Sequence, residues 1–275
     1  MKKLLAIAAI AVFAFSSCSK DDDNGNGGGS SSGSLTVEKK NRGILIDFSE
    51  TWCPPCGSSG GPGFDSSLYL EGTSISAMKV YGSSNPSTMN SPLSNGLANA
   101  YNVSGVPDFW FNNTELNSGG GVYSSAGANY NWVNTKANAF AVTDTIAGVA
   151  LTKAVVGDSV KVTTRVKFFK EQAANQQYTL AVYLVEDNII SNQSTNSGAN
   201  ANYRHRNLLR SGNAGTYTGV ALNGTAAITA DQVFDNTFML PKNSITGNNG
   251  NLKAIAVIWK LGTTPAKVVN TNVVK

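Results

Sequence analysis

Gly43-Ile44-Leu45-Ile46-Asp47-Phe48-Ser49-Glu50-Thr51-Trp52-Cys53-Pro54-Pro55-Cys56 is the stretch on which the fold turns. Ile44 to Ile46 with Phe48 is a short apolar run, as a strand buried on both faces requires. It delivers the chain to two cysteines separated by two residues. A pair so close closes a small, reversible disulfide rather than a staple between distant segments. The chain has only 3 cysteines in 275 residues, so redox chemistry is favoured over cross-linking. Asp47 interrupts the run; a carboxylate there is costly unless it is paired or protonated.

Zinc is the competing reading of Cys53 and Cys56. A structural zinc site needs four ligands. The chain has no second cysteine pair and His205 is its one histidine, so no metal is expected. No cofactor is expected either. The net charge of +4 is not gathered into a basic stripe, which excludes nucleic acid as an expected partner.

The segment from Ile44 to Cys56 resembles the active-site segment of thioredoxin-fold oxidoreductases, and its Cys-Pro-Pro-Cys variant resembles TlpA-like reductases. The resemblance implies an exposed nucleophile at Cys53 and a resolving thiol at Cys56. It implies that Asp47 lies beneath the disulfide and handles the Cys56 proton. It also implies a cis peptide before Pro107, in Val103-Ser104-Gly105-Val106-Pro107, packed against the cystine. Composition alone favours trans there, since only about 5–6% of X–Pro bonds are cis. Val106 would offer main-chain hydrogen bonds to an extended substrate, and Trp52 is expected beside it. The run Cys56-Gly57-x-x-Gly60-x-Pro62-x-Phe64 is also similar to outer-membrane lipoproteins of Bacteroidetes of the 28-kilodalton type. Gly57, Gly60, Gly61 and Gly63 are poor helix formers, so an irregular helix is expected up to Phe64.

Outward from this segment, the N-terminus reads as an address. Lys2-Lys3 and the apolar run Leu4 to Phe15 form a signal peptide over residues 1–17, too short to span a bilayer. Phe15-Ser16-Ser17-Cys18 resembles a bacterial lipobox, which implies an acylated Cys18 seated in the lipid bilayer. Ser19-Lys20-Asp21-Asp22-Asp23 resembles the surface-export signal of Bacteroidetes lipoproteins. The implied location is the outer membrane, at the cell surface, with the periplasmic face as the alternative. Residues 18–34 form a Gly/Ser/Asn-rich tether.

Two folded parts are expected. Residues 35–141 form an α/β thioredoxin-like domain, closed by a helix over Ser124 to Phe140. Residues 142–275 form a separate all-β sandwich, Ig-like or jelly-roll. Its clearest strand alternates Val160, Val162, Thr164, Val166 and Phe168 with Lys161, Thr163, Arg165 and Lys167. Ser191 to Asn202 reads as a mobile polar loop. Beyond it, Tyr203 to Arg210 reads as a strand edge with locally paired basic groups, or as an anion site.

Two functions follow. One is a membrane-anchored thiol–disulfide oxidoreductase acting on exported protein thiols or disulfides. The other is a surface binding or adhesion lipoprotein whose cystine does not cycle.

Overall fold

The computed structural model describes residues 35–82, 85, 89–116, 126–242 and 251–275, with the backbone alone at 126–129. The signal peptide, Cys18 and the tether lie outside the described residues, as does the start of the expected closing helix.

Strands β1 (Gly43–Ser49) and β2 (Ile75–Tyr81) pair in parallel. Strand β3 (Asp108–Phe111) pairs antiparallel with β1 on its other side and turns into β4 (Thr114–Glu115). Between β1 and β2 runs a helical stretch. It begins as a π turn over Cys56–Gly60 and continues as α1 (Gly61–Ser67). The irregularity expected before Phe64 is therefore real. Helix α2 (Ser94–Ala100) precedes β3, and α3 (Ala126–Ala141) follows β4.

From β5 (Ala147–Val156) onward the described elements are strands: β6 (Ser159–Phe168), β7 (Tyr178–Glu186), β8 (Ile189–Thr195), β9 (Gly198–His205), β10 (Leu208–Gly212), β11 (Val220–Ala221), β12 (Val233–Pro241), β13 (Leu252–Lys260) and β14 (Lys267–Val274). The alternation read in β6 is observed, with Val160, Val162, Thr164, Val166 and Phe168 all buried.

These strands do not make a second, separate domain. The main sheet runs β14-β13-β7-β10-β2-β1-β3-β4, so it crosses the boundary expected between residues 141 and 142. Residues 35–275 form one compact unit. The join is at the outer edge of β2. There the Lys79 N–H donates to the Asn207 carbonyl at 2.8 Å, and Leu208 pairs with Lys79 in parallel. The Asn207 side chain donates to the Ala77 carbonyl at 2.9 Å. An edge that would stand open in an isolated first half is thus occupied.

The alternation of side chains along each strand builds the cores. On one face of the β1–β2–β3 region, Leu45, Ala77 and Phe109 pack under Phe64 of α1 and Val133 of α3. The opposite face is continuous across the join: Ile46, Met78, Tyr183, Val257 and Trp259 share it with Leu97 beneath α2. The reverse face of β7 and β13 packs Val182, Leu184 and Ala256 against Val160 and Val162 of the three-stranded sheet β12-β6-β5.

A candidate redox site

Strand β1 ends in a turn in which the Cys53 N–H donates to the Glu50 carbonyl. Pro54 and Pro55 then open the helical stretch, a position where the missing N–H costs nothing. The Cys56 N–H points at the Cys53 sulfur, 3.2 Å away. Cys53 and Cys56 form a disulfide with their Cα atoms 5.3 Å apart. When the bond opens, that N–H favours the Cys53 thiolate.

The peptide bond between Val106 and Pro107 is cis, and Pro107 leads directly into β3. The Val106 carbonyl oxygen lies 3.6 Å from Cys53 Sγ. Pro107 packs so closely on the π turn that a β-carbon at Gly60 would stand 2.9 Å from Pro107 Cβ. Two segments fifty residues apart are thereby seated against each other. A groove of about 500 Å³ runs beside them, lined by Pro55, Ser104, Gly105, Val106, Pro107, Asp108 and Glu115. Trp52 stands exposed. Burial pushes the Asp108 carboxyl up to about 6, against the hydrogen bond that it accepts from Trp110 Nε1 at 3.0 Å.

Asp47 is fully buried on β1, opposite Lys79 of β2 and Phe109 of β3. Lys79 Nζ reaches its carboxylate at 3.0 Å. Burial raises the Asp47 carboxyl above its ordinary range, with Lys79 pulling the other way. For Lys79, burial lowers the ammonium, but the Asp47 carboxylate together with Tyr81 and Tyr203 outweighs that, so it is held above its ordinary value. The pairing answers the question that a carboxylate in an apolar strand poses. Its partner could have been sought in Ser76-Ala77-Met78-Lys79-Val80-Tyr81, where a lysine breaks an otherwise buried strand.

Sequence reasoning missed the cover over this site. Ser191 to Asn202, read as a mobile loop, is most of the hairpin β8–β9. It lies against the cystine loop: Ser194 N–H donates to the Thr51 carbonyl at 2.7 Å, and Asn196 N–H to Ser58 Oγ at 2.7 Å. Cys53 is only 3% exposed and Cys56 1%, so the open nucleophile expected at Cys53 is instead a covered one. The segment Tyr203 to Arg210 resolves in favour of local pairs. Arg206 Nε donates to Asp187 Oδ1 at 2.5 Å, and Arg210 lies buried against Glu186 at 3.2 Å. His205 is buried, with its Nδ1 2.6 Å from the Tyr81 hydroxyl. Burial and the Lys79 charge lower it to about 4.

No family model matches the sequence, and no curated protein does. The chain is similar in fold to HBP35 of Porphyromonas gingivalis. The TM-score is 0.64 at 17% identity, over 87% of this chain and 76% of HBP35. A penta-heme cytochrome c552 from Thermochromatium tepidum aligns at TM-score 0.27 and 8% identity over 47% of this chain and 39% of its own. A GH3 β-glucosidase from Bifidobacterium adolescentis aligns at 0.23 and 14% over 46% and 16%. Neither of these two shares the fold as HBP35 does. Among the described residues no group of three or more His, Cys, Asp and Glu is arranged to hold a metal ion. Nor is any described helix long and apolar enough to cross a membrane.

Proposed function

We propose that this protein is a thiol–disulfide oxidoreductase of thioredoxin-like fold, tethered to the outer membrane through acylated Cys18 and acting on exported proteins. The observation that carries the reading is the closeness of the Cys53–Cys56 pair to the Val106 carbonyl and the cis Pro107 at the end of an open groove. The strand order β2-β1-β3-β4, with β1 and β2 parallel, β3 antiparallel and α3 closing, supports the fold reading. The likeness to HBP35, from a Bacteroidetes organism, fits the lipoprotein reading of the N-terminus.

In the reducing direction the Cys53 thiolate attacks one sulfur of a substrate disulfide and expels the other as thiolate. The Cys56 thiol gives up its proton and attacks the mixed disulfide. The second substrate thiolate leaves, and the Cys53–Cys56 bond re-forms. Asp47 with Lys79 is the buried pair through which the Cys56 proton is handled. Val106 aligns the substrate backbone, and Trp52 forms the rim it crosses. Cys53→Ser should abolish insulin reduction in the presence of dithiothreitol. Full activity in that variant would sink the proposal.

The covered state of Cys53 favours a second reading. On it, the protein is a surface binding lipoprotein whose cystine stays oxidised. Thiol trapping in intact cells separates the two: a pair never found reduced, with no mixed-disulfide partners, selects the second.

A further inference from the structure

We infer that the β8–β9 hairpin is part of the redox site, with Gln193 as the positioning residue that holds the Cys53 peptide; this deepens the oxidoreductase reading and rests on it. Gln193 follows Cys53 by 140 residues and is 1% exposed. Its Nε2 directs two hydrogens at three carbonyls: Glu50 at 3.0 Å, Cys53 at 3.1 Å and Ser194 at 3.1 Å. The pairing of β8 with β9 slips between Ser191 and Gln193, and such an irregularity re-aims a side chain. Ser194 and Asn196 tie the same hairpin to Thr51 and Ser58, so the cystine is gripped before, within and after its loop.

The seat is cut to fit. A β-carbon at Gly57 would strike the Ser194 carbonyl and lie 2.8 Å from Gln193 Cγ. One at Gly61 would collide with the Tyr203 hydroxyl. Two of the glycines that weaken the helix, Gly57 and Gly61, are the ones that admit the hairpin. With the helix side of the cystine closed, the groove past Val106 and Pro107 offers an approach for a substrate among the described residues.

The consequence is a bias in the redox equilibrium. Reduction breaks the Cys53–Cys56 bond, forms two thiols, and takes two electrons and two protons from an external dithiol, which leaves as a disulfide. The two sulfurs must then part, and a Cys53 peptide free to move would follow its sulfur. Gln193 resists that shift, so it favours the oxidised form.

The test is the equilibrium of the purified full chain with reduced and oxidised dithiothreitol, read by thiol alkylation and gel shift. Gln193→Met keeps length and removes the donors. It should move the equilibrium toward the dithiol about tenfold, a rise of ~30 mV for a two-electron couple. Asn213→Ala is the control. It removes a comparable carboxamide, bonded to the Leu180 carbonyl at 3.1 Å on β7, and should lower stability without moving the potential. A shift under twofold in Gln193→Met, or an equal shift in Asn213→Ala, overturns the inference. Should Gln193→Met fail to fold, Ser58→Ala releases only the Asn196 contact and must shift the potential in the same direction. Absence of any shift there overturns the inference as well. Wild-type protein inert toward insulin, with the potential still moved by Gln193→Met, would remove the enzymatic reading and leave the clamp standing.

Discussion

His205 should make the stability of this protein depend on pH in a way that one substitution removes. The ring has no exposure, its Nδ1 meets the Tyr81 hydroxyl at 2.6 Å, and Tyr203 packs on it with ring centroids 5.0 Å apart. Burial, reinforced by the Lys79 ammonium, lowers it from 6.5 to about 4. The unfolded chain therefore binds a proton that the folded protein refuses. Stability from this group is fully present above pH 6.5 and is lost as pH falls toward 4. Between pH 7 and pH 5 the loss amounts to about 2 kcal/mol, from 1.36 kcal/mol per pH unit of linkage. Asp108 works against it. Its carboxyl is raised in the folded state, so it gains stability over the same interval as pH falls. The wild-type curve alone thus mixes opposing terms. Urea denaturation of wild type and His205→Gln at both pH values isolates the histidine, because Asp108 is common to the two. The glutamine keeps an acceptor for Tyr81. The pH-dependent loss should be about 2 kcal/mol larger in wild type than in the variant. Parallel curves, within about 0.5 kcal/mol, would refute the argument.

Gly61→Ala should cost about 1–3 kcal/mol by forcing Tyr203 and its hairpin off the helix, visible as a fall of several degrees in the melting temperature. An unchanged melt would show that the hairpin is not tightly seated. Lys253→Met should cost about 3–5 kcal/mol in chemical denaturation. Lys253 Nζ joins Glu71 at 2.8 Å, Asn207 at 2.7 Å and Asp187 at 3.0 Å, and its removal leaves two largely buried carboxylates without that cation. A loss below about 1 kcal/mol would mean the network is structurally idle.

What the sequence disclosed was local. Ile44 to Phe48 and the alternation from Val160 to Phe168 declare their strands because each pattern is set by its own burial. The pair Cys53 and Cys56 is self-evident. The cis bond before Pro107 was legible only through a family resemblance, since its surroundings, Gly60 among them, lie in another segment. Asn, Ser and Thr in residues 191–202 read as loop, because what orders them is main-chain bonding to residues 51–58. No propensity records that. The expected boundary after residue 141 follows a true change in pattern, from helices and strands to strands alone. It failed as a division because the open edge of β2 is completed by β10, a pairing of Lys79 with Leu208 that has no local signature.

That single parallel join bears on how such a protein can arise and change. Neither half is a portable cassette. Recombination that lifted out the cystine-bearing portion would expose a bare strand edge at Lys79 and strip Met78 and Val80 of the apolar surface supplied by Tyr183 and Val257. Inheritance therefore acts on the whole body at once, and drift in the β-rich portion reaches the sulfur chemistry through the backbone it shares.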